Sequence, residues 1–131
     1  MGDIRILDYA ICEDGGTLVN PMIVDGQVIG GTALYEEMPY DDAGQPMGST
    51  LADYLLPGAT EVPEPRIEHM ATPSPLSMFG QKGIGEGGAI GPPAAIANAV
   101  NDALAPLGVE LLELPITPRR VLAALLARGA R

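Results

Sequence analysis

Lys82-Gly83-Ile84-Gly85-Glu86-Gly87-Gly88-Ala89-Ile90-Gly91-Pro92-Pro93 places a single acid in a run of glycine and small apolar residues. Glycine admits backbone conformations closed to other residues and lets a ligand or a second backbone come close. A carboxylate in such a run reaches a reacting centre with little steric obstruction from its neighbours. Proline suits a first helical turn, so the double proline predicts a helix opening at Pro92. Ile96, Val100, Ala103 and Leu104 keep helical spacing behind it, and Pro106-Leu107-Gly108 stops the helix. The stretch reads as a glycine loop that carries one acid to the front of a helix.

Short elements are predicted on both sides. Asp3 to Glu13 reads as a strand, with Ile4, Ile6, Leu7, Tyr9 and Ile11 interspersed with Arg5 and Asp8. Asp14-Gly15-Gly16 is a turn. Asn20-Pro21 starts a helix, with Asn as N-cap and Pro at the first position, running to about Glu37. Its Gly26, Gly30 and Gly31 are costly inside a helix and point to close contact on that face. Gln27 shares the face with Ile23, Gly30, Gly31 and Leu34, which makes it a candidate buried polar residue. A hairpin tip is predicted at Asp42-Ala43-Gly44, a strand over Ser49 to Leu56, and a connector over Pro57 to Pro65. Arg66 to Ala71 and Val109 to Leu114 read as strands, and Thr117-Pro118 caps a last helix with Val121, Leu122, Leu125 and Leu126 as its stripe. The fold class is α+β: one domain over residues 1–131, short strands with two or three packed helices.

Composition narrows the functions. The chain is 131 residues long with a formal net charge of -10, which opposes nucleic acid, whose phosphates need Lys and Arg. No apolar run is long enough to span a bilayer, and the N-terminus lacks signal-peptide anatomy, so the cytoplasm is expected. The chain holds 17 glycines, 13 prolines and no Trp, so its core is aliphatic and leans on neighbours for part of its burial. Cys12, the lone cysteine, excludes an intrachain disulfide and is expected to be a small buried hydrophobe. His69 is the lone histidine, so no zinc-type spacing exists; any metal must arrive inside a cofactor.

Three readings of the glycine stretch stand side by side. Gly83-x-Gly85-x-x-Gly88 formally matches a dinucleotide fingerprint, but Pro73-Ser74-Pro75-Leu76-Ser77-Met78-Phe79 before it is not a buried strand. A small nucleotide-binding domain remains one alternative. A second is a structural role, with Glu86 pinned by backbone N–H groups. The third is catalytic, with Glu86 as a general base.

The stretch Lys82 to Ala94 closely resembles the catalytic loop of the molybdenum hydroxylases, the family of xanthine dehydrogenase, aldehyde oxidase and aerobic carbon monoxide dehydrogenase large subunits. The resemblance extends to Asn20 through Gly31, Asp53-Tyr54-Leu55-Leu56-Pro57, Ala97 through Leu104, and Pro115-Ile116-Thr117-Pro118. It covers nearly the whole chain in order. It implies a C-terminal piece of the larger molybdopterin-binding subunit. Glu86 matches the family's catalytic base, and Gln27 a glutamine on the pterin of the cofactor. Lys82, Gly83, Ile84 and Gly85 match the backbone turn beside that cofactor. The implied cofactor is molybdenum-molybdopterin in its cytosine dinucleotide form, shared with the rest of the subunit, with Fe–S and FAD on partners. The implied substrate is a small molecule with an electrophilic carbon, and the isolated chain is expected to be inactive. A non-catalytic remnant of the family is the alternative. Relative to the family, the segment after Gly31 is shorter, with Thr32 following directly.

Overall fold

The computed structural model describes residues 2–28, 34–56, 58 and 63–129. Strand β1 (Ala10–Asp14) is followed by helix α1 (Pro21–Val28), strand β2 (Arg66–Met70), helix α2 (Gly87–Leu104) and helix α3 (Pro118–Ala127). The class is α+β, as the sequence predicts. A short 3-10 turn over Ala105–Leu107 ends α2, and Gly108 closes it in the left-handed conformation, with φ 65°.

β1 and β2 pair in parallel, with Ala10 opposite Arg66 and Asp14 opposite Met70. Parallel strands need a long crossover, and the chain between them, including α1, supplies it. The predicted first strand is shortened to its last third: residues 3–9 carry no ladder. They keep a strand's alternation nonetheless, with Ile4 and Ile6 turned to the core and Arg5 and Leu7 outward.

α1 starts where Asn20 predicts. The Asn20 side chain accepts from the Ile23 amide at 3.4 Å, and its carbonyl accepts from Val24. The helix is shorter than predicted. Its described span is Pro21–Val28, and Leu34 and Tyr35 form a turn, so it does not run to Glu37; the predicted continuation through Gly30 and Gly31 lies outside the described residues.

The hairpin tip holds. Tyr40 and Pro46 form an antiparallel bridge, and the Asp41 carboxylate accepts from the amides of Ala43 and Gln45. Two predicted strands do not form. Over Ser49 to Leu56, Thr50 starts a tight turn: its carbonyl accepts from Asp53 and Tyr54, and its hydroxyl donates to Asp53. Local side-chain bonding of this kind competes with a ladder. Over Val109 to Leu114, the Asn101 amide takes the place of a neighbouring strand. It donates to the Leu111 carbonyl at 2.9 Å and accepts the Leu111 N–H at 2.8 Å.

α2 begins five residues before the predicted start. Gly88, Pro92, Ile96 and Val100 form its buried stripe, each four residues from the next. Pro92 and Pro93 forgo bonds to the Gly88 and Ala89 carbonyls, but the turn ahead of them is held by Ala89 and Ile90 donating to the Glu86 carbonyl. Thr117 caps α3 as predicted, accepting from the Arg120 amide.

The core is Leu34, Ile96, Val100, Ile116 and Val121, with Ile4, Ile6, Leu104, Leu111 and Leu125 packed against it. It is small. Seven large hydrophobic side chains are buried among the described residues, against 20 that are exposed. The accessible surface is 9152 Å². A compact monomer of this mass exposes about 6,600 Å².

Candidate active site

A cleft of about 710 Å³ lies between β1 and the front of α2. One wall is Tyr9 through Glu13 and the other is Gly83 through Gly87, closed at the back by Ile90, Pro92 and Ala95. The glycine stretch thus faces the first strand across open space.

Glu86 is the N-cap residue of α2, a position that follows from the early start of that helix. Its side chain makes no capping hydrogen bond. The carboxylate is exposed on the cleft, and the helix dipole at its back favours negative charge there. The pinned, purely structural Glu86 of the second reading is not what the geometry gives.

Two glycines of the loop are not explained by the chain itself. A Cβ on Gly83 or on Gly85 would meet nothing within 4 Å, and neither residue has a positive φ. Neither packing nor backbone conformation among the described residues demands glycine there. Open space at both positions leaves room for close approach of a group from outside. This is a cradle that side chains would fill, and it fits a bulky cofactor laid against bare backbone. Among the described residues no cluster of three or more His, Cys, Asp or Glu could hold a metal.

Lys82 anchors the loop. Its ammonium lies 2.8 Å from Asp14 Oδ2 and 2.6 Å from Thr72 Oγ1. The Thr72 hydroxyl also bonds Asp14 Oδ2, and Asp14 Oδ1 accepts the amides of Gly16 at 2.9 Å and Thr72 at 3.2 Å. The bond from Lys82, then those from Thr72 and the Gly16 amide, hold the Asp14 carboxyl well below the usual carboxylate range. Because the native value lies under the unfolded one of about 3.9, the stabilisation is complete above that pH. It diminishes on acidification and is gone once the pH has fallen through the native value. The difference in urea midpoint between the native chain and Asp14→Asn should therefore be widest near neutrality and shrink below pH 4. A difference that is constant from pH 6 to pH 2 would show that the ionised carboxylate contributes nothing.

Two expectations are corrected. Gln27 is exposed and does not line the cleft that holds Glu86. The inward face of α1 is set by Val24, which is buried, and by Asp25, which meets His69 Nε2 at 2.8 Å; Gln27 lies on the outer face with Met22, Ile23 and Gly26. Cys12 is exposed on the cleft wall, because β1 pairs only with β2 and nothing among the described residues covers that side. As the sequence predicts, the dinucleotide fingerprint lacks its strand: residues 71–82 form turns and one isolated bridge, Gly16 to Gln81. Sequence reasoning missed Glu13, Asp14 and Thr72. The only local sign was Asp14 before Gly15-Gly16, which by itself spells a turn.

Residues 1–63 match the sequence profile of a molybdopterin cofactor-binding domain, which defines the class. The nicotine 6-hydroxylase large subunit of Paenarthrobacter nicotinovorans is 42% identical over 129 residues, covering 94% of this chain and 16% of that protein. The crystal structure of quinoline 2-oxidoreductase from Pseudomonas putida 86 superposes with a TM-score of 0.83 at 49% identity, over 93% of this chain and 16% of the other. Reconstituted CO dehydrogenase from Oligotropha carboxidovorans gives 0.86 at 34% identity, over 98% and 17%. The chain belongs to the molybdenum hydroxylase large subunits, and it spans about a sixth of the length of the relatives it matches. Among the described residues no helix is long and apolar enough to cross a membrane.

Proposed function

We propose that this chain forms the part of a molybdenum hydroxylase that presents Glu86 as general base and a bare glycine backbone to the cofactor. The observation that carries this reading is the pair Gly83 and Gly85, which have empty space at their Cβ positions in the same cleft as an uncommitted carboxylate. When bound, the molybdenum-molybdopterin cofactor supplies the oxygen transfer and takes up the electron pair. The cytosine dinucleotide form fits the resemblance, and electrons leave to Fe–S and FAD partners.

The chain's own residues have three tasks. Gly83 and Gly85 let the cofactor lie against the backbone. Ile84 turns inward, its side chain over Gly15, so the loop presents backbone outward. Glu86 takes a proton at a carboxylate oxygen as an electrophilic carbon of the substrate is attacked. Gln27 reaches the cofactor from the outer face of α1, where Met22 and Ile23 are exposed and a Cβ on Gly26 would meet nothing. The remainder of the large subunit covers that face and the apolar groove of about 880 Å³ between residues 2–10 and helices α2 and α3. The assembly is expected in the cytoplasm, and its substrate is a small molecule with an electrophilic carbon; quinoline, nicotine and carbon monoxide are the first to try.

The test is Gly85→Val in the assembled enzyme. Within this chain a Cβ at this position meets no atom within 4 Å beyond its chain neighbours, so the fold should be unchanged, while molybdenum content should fall at least about tenfold because the branched side chain occupies the cradle. Full molybdenum content in Gly85→Val would remove the basis of the reading.

A further inference from the structure

We propose that Asp14 is a positioning residue for the reaction: with Thr72 and Lys82 it forms a clasp that fixes where the loop carrying Glu86 starts, and hence where its carboxylate stands. The inference rests on the reading of Glu86 as base.

The loop between Lys82 and Gly87 is bonded at its front around the end of β1 and packs at its back against Glu13 of β1. At the front, the Lys82 amide donates to the Gly15 carbonyl at 2.9 Å while its ammonium is shared by Asp14 and Thr72. At the back, Gly87 lies against the Glu13 carboxylate so closely that a Cβ there would overlap it. Between the holds, the internal tie is the Gly87 amide on the Ile84 carbonyl at 3.2 Å. Glu86 itself makes no side-chain bond, and Gly83 and Gly85 touch nothing at their Cβ positions. Apart from Ile84, whose side chain lies over Gly15, the loop takes its course from its ends.

The clasp joins three separate segments. Asp14 ends β1, Thr72 follows β2, and Lys82 opens the glycine loop; the bonds span 58 and 68 residues of sequence. The Asp14 carboxylate accepts from four donors, Gly16 N, Thr72 N, Thr72 Oγ1 and Lys82 Nζ, so it is committed to holding rather than to chemistry. The Lys82 ammonium is likewise engaged by this chain, and the residue serves the site through its position and backbone. Gly16, at φ 64°, fits beneath the clasp because a Cβ there would strike the Gly80 carbonyl.

Misplacing a reacting group by about 1 Å costs on the order of 100-fold in rate. In the assembled enzyme, with quinoline as the first substrate, Asp14→Asn and Lys82→Met should each lower kcat roughly 10- to 100-fold with KM within about twofold and molybdenum content unchanged. The double variant should be no worse than the poorer single one, since either change opens the same clasp. Hydrogen exchange of the Lys82 and Gly87 amides should quicken at least about tenfold in each. Should these variants fail to assemble, Thr72→Val, which removes one hydroxyl and keeps the amide, should show the same pattern in weaker form. If Glu86→Gln abolishes turnover while Asp14→Asn keeps kcat within twofold and leaves exchange unchanged, the clasp is refuted and the base reading stands. If Glu86→Gln leaves turnover intact, the base reading fails, and unchanged exchange at Lys82 and Gly87 refutes the clasp independently.

Discussion

Replacing Glu86 with Gln in the assembled enzyme should lower kcat by about 10²–10⁴-fold, the range that removal of an essential base produces. The substitution keeps size and hydrogen-bonding shape and deletes only the ability to hold a proton. It is unusually clean here for a structural reason. The Glu86 side chain makes no capping bond and no other side-chain bond among the described residues, so no contact within the chain is lost. Stability should stay within about 0.5 kcal/mol, the usual scatter of surface changes. Molybdenum content should match the native enzyme, because the cofactor cradle is built from Gly83 and Gly85. The loss should fall on kcat with KM little altered. Native turnover in Glu86→Gln would favour the alternative, a non-catalytic module kept for its contacts within the subunit.

Ile116→Ala should abolish cooperative unfolding of the isolated chain at 25 °C. Ile116 is 1% exposed, the most fully buried large side chain of the described residues, and sits among Leu34, Ile96, Val100 and Val121. Truncating such a residue costs about 2–5 kcal/mol through lost transfer energy and the cavity left behind. An ordinary domain has about 5–15 kcal/mol in total. This chain stands at the low end, since its buried aliphatic residues are far outnumbered by exposed ones and its surface greatly exceeds that of a compact monomer. Leu112→Ala, at a residue 84% exposed, is the matched control and should change stability by less than about 0.5 kcal/mol. Urea titration followed by circular dichroism separates the two. Equal midpoints for the two variants would mean that the core placed around Ile116 does not carry the fold. In the assembled subunit the same variant should be milder, because partner surface adds burial that the lone chain lacks.

The amino-acid sequence by itself determined those features whose causes are local. Asn20-Pro21 and Thr117-Pro118 start helices because a capping oxygen and a proline-fixed φ act within one turn. Asp41 makes its turn with neighbours two and four residues away. The glycine run with its single acid was legible for the same reason, since missing side chains are a property of the chain before it folds. Only the tertiary structure decided the rest. Whether Val109 to Leu114 became a strand depended on Asn101 reaching its backbone first. Whether Gln27 faced inward depended on which residues of α1 turned toward the rest of the chain, and Val24, which is buried, and Asp25, which meets His69, did. Asp14, Thr72 and Lys82 carry no mutual pattern in sequence; the parallel pairing of β1 and β2 brings the strand ends together, and their charges and hydroxyl then satisfy one another. Contacts between distant segments depend on topology, and that is set by burial across the whole molecule rather than by any short stretch of it.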